Sequence, residues 1–171
     1  MHKKYKDYKS DETIKIENER MKEFIKRVWS KMNKNEPLTE AEQLIFNNPV
    51  DVRVSMANNS LYLYELSEDW SSRVRMAVAK NIHTPVDLLY KLANDEDYSV
   101  RACVALNPNT PADLLIKLSE DKSWVVRLYV TENRNTPIHI VEKLTNDEEW
   151  VVRHSAEIFL SSRMSERRKK P

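Results

Sequence analysis

The stretch "NPNTPADLL", residues 107–115, reads as the stop of one helix followed by the start of the next, and the chain repeats it. Nearly the same phrase stands at 81–89, "NIHTPVDLL", and at 133–141, "NRNTPIHIV", 26 residues to either side. Within each phrase the Thr-Pro pair predicts a helix N-terminus. Thr84, Thr110 and Thr136 are placed to cap free N–H groups, and proline suits the first helical position, where its missing N–H is no loss. Asp87 and Asp113 stand where a capping-box acid reaches back; the third copy has His139 there. The asparagine opening each phrase predicts the preceding helix end, because Asn tolerates the left-handed C-cap best after Gly.

Working outward, the chain aligns on a Val-Arg pair. "VRVSMANN" (52–59), "VRMAVAKN" (74–81), "VRACVALN" (100–107), "VRLYVTEN" (126–133) and "VRHSAEIF" (152–159) place Arg53, Arg75, Arg101, Arg127 and Arg153 at spacings of 22, 26, 26 and 26. Six residues before each arginine lies Asn47, Asp69, Asp95, Asp121 or Asp147. Nine before lies Leu44, Leu66, Leu92, Leu118 or Leu144. Leu88, Leu89 and Leu92 have i, i+1, i+4 spacing, as do Leu114, Leu115 and Leu118 and then Ile140, Val141 and Leu144; each set is one buried stripe on a short helix. The Val-Arg segment supplies a second helix that buries Val100 with Val104, or Val126 with Val130. Two such short helices cannot bury their stripes alone, but stacked neighbours can. The expected fold is all-α: a right-handed solenoid of about five two-helix repeats behind an N-terminal capping helix.

The edges of the pattern are less regular. "LTEAEQLIF" (38–46) carries its own capping box, Thr39 with Glu42, whereas "SLYLYELSEDW" (60–70) lacks four residues at the turn and offers only Ser60 as a cap. A local irregularity is expected there. Residues 11–33 predict a longer amphipathic helix with Ile14, Met21, Phe24, Ile25, Val28, Trp29 and Met32 on one face, suited to cover the end of the stack. The expected organisation is an arm and capping helix over 1–37, repeats over 38–162 and a basic disordered tail over 163–171.

Composition narrows the function classes. The 171 residues contain no Gly, which argues against phosphate-cradling loops and dinucleotide folds. The single Cys103 excludes an intramolecular disulfide, and no Cys/His spacing suits a metal. His2, His83, His139 and His154 fall at unrelated repeat positions, so neither catalytic residues nor a cofactor are expected. No leader-like apolar segment and no run of about 18 apolar residues is present, so a cytoplasmic protein outside the membrane is expected. The net charge of +1 hides segregation. Residues 47–159 carry 12 Lys/Arg against 17 Asp/Glu, while 1–46 carry 11 against 9 and 160–171 carry 5 against 1.

The phrase "VRxxVAxNxxTPxxLLxxLxxD", with Trp or Tyr shortly before the next Val-Arg, resembles the variant leucine-rich repeat. The Asp-to-Arg spacing also resembles HEAT-type repeats, and the likeness covers about 38–159. Both families are mostly recognition scaffolds. A variant-repeat relative with an iron–sulfur cluster holds it in a cysteine-rich segment, which this chain lacks. Some HEAT-like proteins are DNA glycosylases working from a basic concave face, whereas the repeats here are acidic. The HEAT likeness implies that each arginine pairs with the Asp six residues earlier and that the Val-Arg helices line a concave face.

On that face the likeness implies Met76, Lys80, Ala102, Leu106, Leu128, Tyr129, Glu132 and His154, a mixed groove suited to a peptide or a partner helix. Leu106 and Leu128 could instead pack inward. Tyr98, Trp124 and Trp150, three residues before their arginines, form a column that is either a binding edge or filler between repeats. The partner expected is a protein segment. The alternative is nucleic acid bound through the basic ends, "RRKK" (167–170) and the Lys-rich start with Tyr5 and Tyr8, against which the acidic body would act. Self-association through Met21, Phe24, Val28 and Met32 is a third reading, and the oligomeric state is left open.

Overall fold

The computed structural model describes residues 11–60 and 62–168; the Lys-rich start with His2, the end of the tail and the side chains of Ile14 and 163–168 lie outside that description. The described residues are all helical, with no strand. Helix α1, Asp11–Asn33, is followed by ten shorter helices: α2 (Glu40–Asn47), α3 (Val50–Asn58), α4 (Leu63–Leu66), α5 (Ser72–Lys80), α6 (Val86–Leu92) and α7 (Tyr98–Leu106). The last four are α8 (Ala112–Leu118), α9 (Trp124–Glu132), α10 (Ile138–Leu144) and α11 (Trp150–Arg168). The Val-Arg helices pack in a row, α3 on α5, α5 on α7, α7 on α9 and α9 on α11. Helices α6, α8 and α10 each touch the Val-Arg helices on either side of them.

The repeat stripes form one core. Leu88, Leu89, Leu92, Leu114, Leu115, Leu118, Ile140, Val141 and Leu144 are buried against Val74, Val78, Val100, Val104, Val126, Val130 and Val152. Ala79, Ala105 and Thr131, in register on α5, α7 and α9, are fully buried, and Thr131 bonds Ser155 of the next helix in the row. No described helix is long and apolar enough to cross a membrane.

Helix α1 is docked on the repeats. Phe24 and Val28 bury against Ile45, with Leu38 and Trp70 beside them. Glu42 then ties the helix down, accepting from Lys31 at 2.7 Å and pairing with Arg27 at 3.0 Å, while Arg20 reaches Glu96 at 2.6 Å. Two of the four residues expected to self-associate, Phe24 and Val28, are thus spent inside the fold. Ile25, Trp29 and Met32 remain exposed. Helix α11 continues to Arg168, past the boundary at 162 drawn from the repeat pattern.

Several local expectations are corrected. The capping box Thr39–Glu42 is present. At the repeated phrases, however, the N-caps are Pro85, Pro111 and Pro137, and no side chain caps these helices. Thr84, Thr110 and Thr136 turn the other way and donate their hydroxyls to the carbonyls of Val78, Val104 and Val130, the end of the preceding helix. Asn81, Asn107 and Asn133 are extended, with φ of −67°, −64° and −78°, rather than left-handed. The left-handed asparagine is Asn35 (φ 56°), which closes α1 as Glu36 N–H bonds back to Lys31 O at 2.9 Å. The expected irregularity lies at α4, a single turn preceded by Ser60 (φ 60°) and Tyr62 (φ 57°); Ser60 caps nothing there and bonds Asn81 instead.

Candidate partner-binding surface

The arginines belong to the frame. Arg75 Nε and Nη2 donate to Asp95 Oδ2 and Oδ1 at 2.6 and 2.8 Å, a planar fork on a carboxylate. Arg101 holds Asp121 at 2.6 and 2.8 Å, and Arg127 holds Asp147 at 2.7 and 2.8 Å. Arg53 holds Asp69 at 2.5 and 3.0 Å. The pairing expected with the Asp six residues earlier is therefore wrong by one repeat. That earlier residue contributes its backbone instead: Nη1 of Arg75, Arg101 and Arg127 donates to Asp69 O, Asp95 O and Asp121 O. One guanidinium thus holds its own turn through Nη1 and the next repeat through Nε and Nη2.

These pairs are buried, with Arg75 1% and Asp95 7% exposed at the side chain. Burial opposes the charged forms, but the Arg101 and Arg127 bonds outweigh it and hold Asp121 and Asp147 below the usual carboxylate range. Each of these Asp residues also accepts the N–H two residues on, as Ser123 N to Asp121 at 2.8 Å, which shapes the turn into the next helix.

A second ladder was not foreseen. Asn107 is buried, and its Nδ2 donates to Ala79 O at 2.8 Å and Asn81 O at 2.9 Å in the previous repeat, while its Oδ1 accepts from Asn109 N. Asn133 makes the same contacts to Ala105 O and Asn107 O, and Asn81 to Ala57 O and Asn58 O. The recurrence of one residue type in one register was the available signal. Helix-end chemistry alone pointed to the wrong cause.

The candidate surface runs along the flank of the Val-Arg helices, beginning three residues before each arginine. Residues one, five and nine of each helix share a face at i, i+4 spacing. They are Tyr98, Ala102 and Leu106 on α7, Trp124, Leu128 and Glu132 on α9, and Trp150, His154 and Ile158 on α11, with Met76 and Lys80 on α5. Tyr98, Leu106, Trp124, Trp150 and Ile158 are 40%, 40%, 42%, 64% and 57% exposed, so the aromatics are an open column and not filler between repeats. Leu106 points outward, whereas Leu128, Tyr129 and Met76 are half-buried against the core, and Ala102 is buried rather than presented. Lys80, Glu132 and His154 are exposed; the Trp150 and His154 rings lie 6.3 Å apart between centroids, tilted by 38°. Desolvation raises the Glu132 carboxyl above its ordinary range. Ile158 was missed, although it follows Glu132 in register.

The face formed by α4, α6, α8 and α10 differs in kind. Tyr64 and Tyr90 hydroxyls donate to Asp87 and Asp113 of the next repeat. Lys91 pairs back to Glu68, Lys117 to Asn94 and Lys143 to Glu120. That side is cross-linked repeat to repeat by polar bonds, although it also leaves Val86 and Ile116 exposed; α7, α9 and α11 of the Val-Arg side present apolar side chains instead.

Cys103 is half-buried, and burial pushes its thiol to about 11, so it is not a thiolate nucleophile at neutral pH. His83, His139 and His154 stand on three separate repeats. Comparison with families of known proteins, with curated proteins and with solved structures gives no match.

Proposed function

We propose that the chain is a cytoplasmic, non-catalytic solenoid of five two-helix repeats that holds an apolar segment of a protein partner across α7, α9 and α11. The observation that carries the reading is the contrast between the two helix faces. One is cross-linked by polar bonds that engage its tyrosine hydroxyls and lysines; the other leaves Tyr98, Leu106, Trp124, Trp150 and Ile158 in solvent. Exposed aromatic and branched apolar side chains gathered on one rigid surface are the usual makings of a recognition hot spot. Their placement on a row of packed helices holds them in fixed register, which lowers the ordering cost of binding. The likeness to variant leucine-rich and HEAT repeats supports the same class.

The test is selection of displayed peptides on the full chain, followed by titration at about 50 and about 200 mM salt. Apolar peptides of helical spacing are expected, with affinity nearly indifferent to salt and lost in Leu106→Glu. Selection of no apolar peptide would overturn the proposal. So would tighter binding of DNA or RNA, with steep salt dependence that survives Leu106→Glu; that result would give the function to the basic ends.

A further inference from the structure

The arginine ladder has an open end. Arg53, Arg75, Arg101 and Arg127 each close Nε and Nη2 on the carboxylate of the next repeat. Arg153 is anchored in the same way as the others, Nη1 donating to Asp147 O at 2.7 Å and Glu148 O at 2.9 Å. Arg101 makes the matching pair of bonds to Asp95 O and Glu96 O at 2.7 and 3.1 Å. Yet among the described residues nothing accepts from Arg153 Nε or Nη2.

None of the nearby acids closes the fork: Glu149, one turn before Arg153, is exposed and makes no ion pair with it among the described residues. Asp147 is held by Arg127, and Glu148 pairs with Arg127 at 3.1 Å. Glu157, four residues along α11, is exposed and makes no ion pair with Arg153.

We infer that Arg153 is a receptor for an aspartate at a helix-starting turn of the protein partner, the same unit that fills the fork four times inside the chain. The inference rests on the partner-binding reading and adds the chemistry of one contact. Arg153 is half-buried and already oriented by two carbonyls, so little side-chain freedom remains to be lost when a carboxylate docks. Trp150, three residues earlier on the same helix, stands beside it and is 64% exposed, which joins the fork to the apolar row.

A second copy of the chain is a poor occupant. The position that would supply the carboxylate at its first repeat is Asn47, a neutral amide with one acceptor oxygen where the fork takes two and a negative charge. Stacking of a further helix on α11 would also place Glu157 where Ala79, Ala105 and Thr131 are fully buried. A charge at that register resists continuation of the row.

The experiment is nitrogen NMR of the arginine Nε–H groups in the full chain, titrated with acetyl-Asp-Lys-Ser-amide, which copies the turn at Asp121–Ser123, and with its asparaginyl counterpart. The expected result is a saturable shift of the Arg153 Nε–H and the Trp150 indole N–H with the aspartyl peptide alone, the other four ladder arginines staying still. Arg153→Lys, which keeps the charge and loses the fork, should abolish the response at the Trp150 indole. No saturable shift, an equal shift with the asparaginyl peptide, or an equal shift with acetate would each overturn the assignment. Leu106→Glu separates the two proposals: it should abolish binding of the selected apolar peptides and leave the Arg153 titration intact. Apolar peptides that bind a chain whose Arg153 is silent would sink this inference and leave the partner-binding reading standing.

Discussion

The two sides of the Val-Arg helices obey the same 26-residue period in different ways. On the buried side the register holds one residue type: arginine at 75, 101, 127 and 153, asparagine at 81, 107 and 133. On the exposed side the same period carries Tyr98, Trp124 and Trp150 at one level, then Met76, Ala102, Leu128 and His154, then Lys80, Leu106, Glu132 and Ile158. The buried residues each solve one geometric problem that recurs at every junction, so one side chain serves throughout. The residues on the other side hold no such recurring bond, whether exposed like Trp124 and Trp150 or packed on the core like Ala102 and Leu128, and are free to differ. Identity in register marks the frame, and variation in register marks the surface where a ligand can be distinguished.

The largest effect should come from breaking a frame pair. In Asp95→Ala the Arg75 guanidinium, 1% exposed, loses both fork bonds and keeps only the more exposed Glu96 carboxylate at 3.6 Å; removing one partner of a buried pair costs about 3–5 kcal/mol. Urea unfolding should show that loss. Asp51→Ala removes the partner of Arg73, but those side chains are 83% and 57% exposed, so about 0–1 kcal/mol is expected. Equal losses from the two variants would erase the distinction between ladder and surface.

Next in size is the asparagine ladder. Asn107→Ala leaves the Ala79 carbonyl and the Asn109 N–H without their partner, while Asn81 O keeps Thr84 N–H, and a buried polar group so stranded costs about 1–3 kcal/mol. Asn59 stands in the same register but is exposed and bonds only Ser55 O of its own helix. Asn59→Ala should therefore unfold close to the parent midpoint. A large loss at Asn59 would mean that asparagine acts mainly through helix ends, the cause the sequence suggested.

Acid sharpens the contrast between α1 and the bare end of the row. Burial raises the Glu42 carboxyl, but the bonds from Lys31 and Thr39 outweigh it and hold it at about 2, against an ordinary 4.5. A depressed folded-state value contributes stability that is fully present above the ordinary pKa and is lost as pH falls through the folded one. The docking of α1 should thus weaken between pH 4.5 and about 2, with Asp121 and Asp147 adding their loss in the same direction. Glu42→Gln should melt lower than the parent at neutral pH, and the two should converge near pH 2. Parallel melting curves at all pH values would show that Glu42 does not hold the helix.

Much of this frame was legible in the sequence because it repeats. The helix pairs, the buried stripes of Leu88, Leu114 and Ile140, and the capping box at Thr39 all follow from spacing and local hydrogen-bonding chemistry. The partners of the ladder residues were not legible, because the contacts join neighbouring repeats. Arg101 lies six residues after one Asp and twenty before another, and only stacking decides that the carboxylate comes from Asp121 and the carbonyl from Asp95. Thr110 reads as an N-cap by local rules, but the end of α7 lies closer to its hydroxyl than the start of α8 does. On the exposed side, Trp124 and Trp150 were legible as candidates. Whether they were open to solvent depended on how α9 and α11 pack.

The smallest effect on stability should come from the exposed row, and that is what makes it a surface. Trp150 is 64% exposed, so Trp150→Ala removes little buried area, and substitutions away from buried or bonded groups fall within about 0.5 kcal/mol. The unfolding midpoint should hold while binding of a selected apolar peptide falls at least tenfold, as truncation of a hot-spot aromatic worth more than about 1.4 kcal/mol requires. Trp124→Ala should behave likewise, being 42% exposed one helix back. Trp70→Ala supplies the reverse case: its ring lies 5.2 Å from the Arg53 guanidinium and beside Phe24 and Val28, so it should destabilise the fold. If Trp150 and Trp70 gave the same loss of stability, the aromatics would all belong to the frame, and the variation seen in register on α7, α9 and α11 would no longer point to a partner.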